Sequence, residues 1–213
     1  MKPTMDDAWQ KIYDENAKRD IPIHTMSCWS EEGFQELFKI TFKLIKKLKN
    51  VKTVLDVGCG PGAYCAELHK KGYDVTGIDY SKNVIDRAKK EHLKMNFDVG
   101  SAYNLPYKNE SFDLVICIGL LQCVYDAEKV IDELARTAKK HIIISTLLRE
   151  RKLEEPIKLL NKKLEKDTWP TRDYHPSEIE DMLDRQGYIT TTITKHKHKL
   201  INDGFFIIAT KTK

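Results

Sequence analysis

The sequence lacks a long hydrophobic run and a strong excess of either charge. No stretch approaches the roughly twenty apolar residues that a membrane helix needs, and the start "MKPTMDDAWQ" lacks the apolar segment of a signal peptide. The 36 basic and 32 acidic residues leave a net charge of +4, which permits an acidic partner without requiring one. These features predict a cytoplasmic protein with no membrane partner. Nucleic acid is a less favoured partner than a small molecule.

Paired cysteines are also missing. The five cysteines are an odd number and contain no C-x-x-C pair, which argues against a disulfide framework and against a zinc site, so no metal is predicted. Cys59, Cys117 and Cys123 lie in or next to apolar, strand-like runs. We expect them to pack as small hydrophobic side chains.

The most informative segment that is present is "VLDVGCGPGAYC", residues 54 to 65. Gly58, Gly60 and Ala63 fit the dinucleotide fingerprint G-x-G-x-x-G/A, in which an open backbone contacts a pyrophosphate. Asp56, two residues before the first glycine, places a carboxylate where a phosphate would have to be accommodated. The turn alone is therefore compatible with a nicotinamide cofactor and with a ligand that carries no phosphate.

Strand-like and helix-like patterns alternate after residue 50, which is typical of a parallel sheet with crossover helices. Two helices are predicted before the first strand, at residues 5 to 19 and 30 to 49, and a later helix from Asp126 to Lys139. Near the end, Ser177 and Glu180 have the spacing of a capping box, and Asp-Gly in "NDG" predicts a hairpin. We therefore predict an α/β fold with a doubly wound, mostly parallel, seven-stranded sheet and a C-terminal antiparallel hairpin.

Two carboxylates accompany the glycine turn. An adenosine ligand with a charged tail needs a tight turn, a carboxylate for the ribose hydroxyls and an apolar slot for the purine. Gly58, Gly60 and Gly62 allow close backbone approach. Asp56 can meet an ammonium group, and Asp79, at the tip of the second strand, can accept both ribose hydroxyls.

Residues 54 to 124 resemble a class I S-adenosylmethionine-dependent methyltransferase of the Rossmann-like, small-molecule type. The resemblance is carried by "VLDVGCGPG", "VTGIDYS", "GSAYNLPY" and "SFDLVICIGLLQCV", and it extends to the closing hairpin. It implies S-adenosylmethionine as the methyl donor, with Asp56, Gly58 and Gly60 near its methionine moiety and Asp79 on its ribose. It further implies an adenine or site-lining role for Tyr80, Ser101, Ala102, Ile118 and Gly119. The family commonly has an acid where this chain has Ser101.

No general base is evident. Candidates for a role near the acceptor are His175, which precedes the last helix, Gln122, which follows the fourth strand, and His24 in the N-terminal segment. Each has an alternative structural reading, as a loop histidine or a strand cap. Trp9 and Tyr13 share a helix face, which favours core packing over ligand contact and leaves open a lid that closes over the sulfonium.

The predicted organisation is a single domain with a helical cover (1–50), a cofactor-binding core (51–146), a substrate lid (147–176) and a last helix with hairpin (177–213). The predicted function is methyl transfer from S-adenosylmethionine to a small metabolite, by a monomer or homodimer. Two alternatives stay open. One is an RNA methyltransferase that uses the lysine-rich segment 152–166, and the other is a non-catalytic protein that binds the cofactor or scaffolds a partner.

Overall fold

A computed structural model describes residues 5–19, 21–26, 30–150, 171–196 and 203–212. Its centre is one seven-stranded sheet with the order β3-β2-β1-β4-β5-β7-β6. The strands are β1 (Thr53–Val57), β2 (Asp74–Asp79), β3 (Asn96–Val99), β4 (Phe112–Ile118), β5 (Ala138–Leu147), β6 (Tyr188–His196) and β7 (Gly204–Lys211). The first five strands are parallel, and β7 is antiparallel to both β5 and β6. The predicted fold class is confirmed.

Helices cover both faces of the sheet. They are α1 (Met5–Ala17), α2 (Ile23–Met26), α3 (Glu31–Ile45), α4 (Ala63–Lys70), α5 (Lys82–Glu91), α6 (Ala127–Thr137) and α7 (Pro176–Arg185). Ser30, Ser81 and Asp126 cap α3, α5 and α6, because each side-chain oxygen accepts a backbone N–H of the first turn. A 3₁₀ turn at Leu121–Cys123 follows β4.

The core forms two layers because β1, β4 and β5 are buried on both faces. One layer packs these strands against α6 and α7 through side chains such as Leu134 and Leu183. The other packs them against α3, α4 and α5 through side chains such as Leu44, Leu68 and Ile85. Cys59, Cys117 and Cys123 are buried, in agreement with their expected role as small hydrophobic side chains.

The start of α7 differs from the sequence prediction. The cap is His175, whose Nδ1 accepts the backbone N–H of Ser177 at 3.3 Å. Glu178, rather than Glu180, completes the capping box, since its carboxylate accepts the N–H of His175 at 2.8 Å. Pro176 is the first helical residue, a position that suits a residue without an N–H. This arrangement starts the helix two residues earlier than a Ser177 cap would.

Two further predictions need comment. The helix expected to reach Lys139 ends at Thr137, because Ala138 already pairs with Phe112 as the start of β5. The strands of the predicted hairpin pair as expected, but its turn falls partly outside the described residues. The segment 152–166 and most of the predicted lid lie outside them as well. Within the described part of the chain, no helix has the length and apolarity needed to cross a membrane.

Candidate active site

A cleft opens where β1, β2 and β4 end, at the carboxyl edge of the parallel strands. It encloses about 1120 Å³ of empty space, including the part that opens to solvent. Ligands of open α/β sheets bind at this edge, where the strand order reverses between β1 and β4. Of the predicted cofactor residues, the cleft is lined by Asp56, Gly58, Gly60, Asp79, Tyr80, Ser101, Ala102, Ile118 and Gly119.

Two glycines of the turn between β1 and α4 have different surroundings. Gly60 has φ +53°, and a Cβ there would meet no atom within 4 Å, so its backbone borders open space. Gly62 caps α4 with φ +85°, and a Cβ there would lie 2.6 Å from Cζ of Phe97. Gly62 is absent from the described lining of the cleft. Gly60 thus leaves the backbone of the turn open to the cleft, whereas Gly62 allows the close packing that starts the helix.

Asp56 lies on the floor of the cleft. It is 2% exposed, and its Oδ2 accepts a hydrogen bond from the thiol of Cys65 at 3.3 Å. Burial raises the pKa of Asp56 to about 7, and the negative charge of Asp79 adds to the rise while the Cys65 hydrogen bond opposes it. A buried acid of this kind favours a cationic ligand group beside it.

Asp79 stands at the end of β2 and connects the glycine turn to the start of α5. Its Oδ2 accepts the N–H of Gly60 at 3.1 Å, and its Oδ1 accepts the N–H of Ser81 at 3.0 Å. Each carboxylate oxygen has two lone pairs, so each can accept one more hydrogen bond from a ligand. Burial raises the pKa of Asp79 to about 6, although these backbone donors favour its ionised form.

The residues that follow β2 and β3 form one side of the cleft. The hydroxyl of Tyr80 is buried and has no hydrogen-bond partner among the described residues, which is costly unless a ligand supplies one. Ser101 is exposed, and its Oγ accepts a hydrogen bond from the backbone N–H of Tyr103 at 3.2 Å. The hydroxyl therefore already has a hydrogen-bond partner within its own loop. Ala102 is partly buried beside it.

The opposite side is formed by the end of β4. Ile118 and Gly119 line the cleft there, as predicted. Gly119 has φ +76°, and its N–H donates to the carbonyl of Ser145 on β5 at 2.9 Å. The turn therefore redirects the chain into the 3₁₀ segment, and Leu120, Cys123 and Val124 of that segment line the wall.

The three candidates for an acceptor role are not brought together in the described cleft. Gln122 is buried, and its Oε1 accepts from Oγ1 of Thr146 on β5 at 3.2 Å. Nδ1 of His175 lies 2.9 Å from Oγ of Ser177 at the start of α7. His24 belongs to the short helix α2. None of the three is among the described residues that line the cleft.

Sequence reasoning expected the N-terminal helices to cover the site, but it favoured core packing for Trp9 and Tyr13 of α1, which line the cleft. Asp6, Trp9 and Tyr13 lie on one face of α1 and line the cleft. Trp9 is 4% exposed, so the prediction that it is buried is correct, although the burial is against the site. The spacing of the two rings was the available signal, but it could not reveal what the helix packs against.

Carboxylates fasten α1 near both of its ends. The carboxylate of Asp6 accepts hydrogen bonds from the hydroxyl of Tyr103 at 3.0 Å and from the backbone N–H of Tyr125 at 3.1 Å. The carboxylate of Asp14 accepts a hydrogen bond from the hydroxyl of Ser81 at 2.5 Å. The helix thus spans the cleft from the segment after β4 to the start of α5.

The residues fit a methyl donor such as S-adenosylmethionine. The same cleft is lined by Gly60 with its open backbone, by Asp79 with its spare lone pairs, by the buried acid Asp56 and by Tyr80, whose hydroxyl has no partner among the described residues. A pyrophosphate would meet the carboxylate of Asp56 instead of a cation, which disfavours a dinucleotide.

The chain is similar to known methyltransferases in sequence. Residues 55–144 match the family described as a methyltransferase domain. The chain is 33% identical over 171 residues to ubiquinone biosynthesis O-methyltransferase of Coxiella burnetii, a match that covers 71% of this chain and 70% of that enzyme. It is 40% identical over 97 residues to norajmaline N-methyltransferase of Rauvolfia serpentina, covering 42% of this chain but only 33% of that enzyme. The chain therefore spans about a third of the length of this plant relative.

The fold is shared with a solved methyltransferase. Magnesium protoporphyrin IX methyltransferase from Synechocystis PCC 6803, solved with bound S-adenosylmethionine, superposes with a TM-score of 0.69. The superposition covers 97% of this chain and 90% of that chain, at 19% sequence identity. At this identity the likeness concerns the fold.

Proposed function

Because this chain belongs to the class I S-adenosylmethionine-dependent methyltransferases, we propose that it transfers a methyl group from S-adenosylmethionine to a small-molecule acceptor. One observation carries the proposal. The glycine turn, Asp56 and Asp79 line one cleft, which makes two carboxylates available for the ammonium group and the ribose hydroxyls of the donor. The family as a whole uses this donor.

When bound, the donor supplies an electrophilic methyl group on a positively charged sulfur. The chain's own contribution is to bind and orient. Asp79 accepts the ribose hydroxyls while it holds Gly60 and Ser81, and Asp56 meets the ammonium group of the methionine moiety. Ile118 and Gly119 line the space at the end of β4. Such transfer depends chiefly on in-line positioning of the acceptor, which accords with the absence of a histidine from the described lining.

We further propose that the N-terminal helices are the cover of this site. Trp9 and Tyr13 face the cleft, and the contacts of Asp6 and Asp14 hold α1 over it. A closed cover excludes water and aligns the acceptor with the methyl group. The predicted division at residues 50, 146 and 176 stays a proposal, since most of the segment 147–176 lies outside the described residues.

Small molecules are the proposed acceptors. The relatives above are named for the methylation of norajmaline at nitrogen and for an O-methylation in ubiquinone biosynthesis. The described wall of the cleft carries aromatic rings and carboxylates and has no lysine, arginine or histidine. This supports an uncharged or cationic acceptor over a phosphorylated one. Location in the cytoplasm and a monomeric or homodimeric state stay predictions.

Calorimetry tests the choice of cofactor. We expect the protein to bind S-adenosylmethionine and S-adenosylhomocysteine, but not NAD. Binding of NAD alone would refute the proposal.

Turnover tests the choice of activity. Incubation with a panel of amines, phenols and carboxylic acids should release S-adenosylhomocysteine with at least one amine or phenol. Cofactor binding without turnover on any compound would favour the non-catalytic alternative. Turnover on RNA alone would favour the RNA methyltransferase.

A further inference from the structure

Asp56 depends on a thiol for its position. It is buried at the end of β1, and within the described residues the Cys65 thiol is the hydrogen-bond donor that reaches its carboxylate. Cys65 is fully buried on the first turns of α4. The bond engages Oδ2 and leaves Oδ1 for a ligand in the cleft.

The thiol is itself held in place by the sheet. A Cβ on Gly77 of β2 would lie 2.9 Å from Sγ of Cys65 and 2.8 Å from Sγ of Cys59. The missing side chain at Gly77 therefore makes the space that both sulfurs fill. Burial raises the pKa of Cys65 well above its ordinary value, so the thiol keeps the proton that it donates.

We propose that Cys65 is a positioning residue for the methyl donor: its thiol orients the carboxylate of Asp56 toward the cleft, where that carboxylate meets the donor's ammonium group. This inference rests on the proposed function. It assigns a role to a residue that sequence reasoning left without one.

Within the part of the chain that the structure describes, no basic side chain is among the groups that act on Asp56, so the thiol is the group there whose hydrogen bond favours its ionised form. Five titratable groups face Asp56. They are Tyr64 and Cys65 on α4, Cys59 in the glycine turn, Asp79 on β2 and Cys117 on β4. Among these, Asp79 carries a negative charge at neutral pH and opposes ionisation of Asp56. The Cys65 hydrogen bond acts in the other direction.

The test compares Cys65→Ala and Cys65→Ser with Cys117→Ala. Cys117 is equally buried but donates no hydrogen bond to Asp56 in the described structure, so its variant controls for the loss of a buried sulfur. S-Adenosylhomocysteine affinity is measured by calorimetry from pH 5.5 to 8.5. The carboxyl carbon of Asp56 is titrated in parallel by NMR without ligand.

We expect wild-type affinity to fall below a midpoint near pH 7, the value to which burial raises the pKa of Asp56. The Cys65→Ala variant should move both midpoints up by about one pH unit and bind roughly five- to tenfold more weakly at pH 7, with affinity restored at higher pH. The Cys65→Ser variant, which keeps a donor, should keep the wild-type midpoint or lower it. The Cys117→Ala variant should leave it unchanged.

Unchanged midpoints in Cys65→Ala would overturn the inference. If that variant does not fold, a raised midpoint in Cys65→Ser would overturn it. Failure of the wild type to bind at any pH would refute the proposed function, while the ligand-free titration would still report whether the thiol acts on Asp56.

Discussion

Each carboxylate oxygen of Asp79, which lines the cleft, accepts one backbone hydrogen bond. The N–H groups of Gly60 and Ser81 fix the carboxylate and leave further lone pairs on both oxygens, which we propose accept the two ribose hydroxyls of the donor. The position of this acid was predictable because it ends an apolar strand. Its link to Gly60 was not, since that contact joins residues nineteen apart in the sequence.

We predict that Asp79→Ala lowers affinity for S-adenosylhomocysteine at least about 100-fold, because two hydrogen bonds to a charged group are lost. Calorimetry at pH 8 measures the change. Asp74→Ala, at the exposed opposite end of β2, is the matched control and should bind like the wild type. Wild-type affinity in Asp79→Ala would refute the ribose assignment.

The raised pKa of Asp56 predicts a specific dependence of the free energy of unfolding on pH. Its pKa in the folded chain is about 7, above the ordinary value of 3.8, so the folded state favours the protonated carboxyl. The resulting stabilisation is complete below about pH 4 and is lost as the pH rises through about 7. A shift of about three units corresponds to as much as about 4 kcal/mol.

We therefore expect Asp56→Asn to lose less stability than the wild type between pH 4.5 and pH 8 in the absence of ligand. Urea unfolding at the two pH values measures the difference. Asp79, whose pKa is raised to about 6, is present in both proteins, so the part of its contribution that does not depend on the charge of Asp56 is common to both. Identical pH dependence in the two proteins would show that Asp56 is ionised without cost.

Helix α1 lies where the sequence predicts a helix, within the segment that was expected to cover the site. Its residues were recognised as helical, and the shared face of Trp9 and Tyr13 was recognised as buried. That this face borders a cleft depends on Tyr103 and Ser81, which lie far along the chain. Long-range contacts of this kind leave no periodic signal in the sequence.

We predict that Asp14→Asn accelerates the dissociation of S-adenosylhomocysteine about three- to tenfold, because the contact that holds α1 against Ser81 is weakened. Stopped-flow fluorescence can follow the release. The neighbouring Glu15→Gln, at an exposed position on α1, is the control. Equal dissociation rates in both variants and the wild type would argue against α1 as the cover.

The start of α7 shows a different limit of prediction. The segment "HPSEIE" offers two overlapping caps, because Ser177 with Glu180 and His175 with Glu178 have the same spacing. The chain uses His175, since Pro176 then occupies the first helical position. His175, a candidate for a role near the acceptor, therefore caps the start of α7.

For the molecule as a whole, the mostly parallel seven-stranded sheet and its antiparallel end were predictable. Buried strands such as "FDLVICIGL" read as continuous apolar runs, and β-rich segments flanked the Asp-Gly pair. The walls of the cleft were predictable only where the turns after strands supply them. The helix and the loops that close over it come from distant segments.

A ligand that binds only the folded molecule raises its melting temperature. At one hundred times its dissociation constant, S-adenosylhomocysteine should contribute about 2.7 kcal/mol. For a domain of this size that corresponds to a rise of roughly 5 to 10 °C. NAD at the same concentration should leave the melting temperature unchanged. A shift with NAD and none with S-adenosylhomocysteine would contradict the assignment of the cleft.

The position of α1 also has a consequence for the timing of the catalytic cycle. If α1 is the cover that we propose, a ligand beneath Trp9 and Tyr13 would exchange when the helix lifts away from Tyr103 and Ser81. Spent cofactor would then leave by the route through which fresh cofactor enters. The pace of turnover would then be set by the rate at which this helix opens, and it should slow as the viscosity of the medium rises.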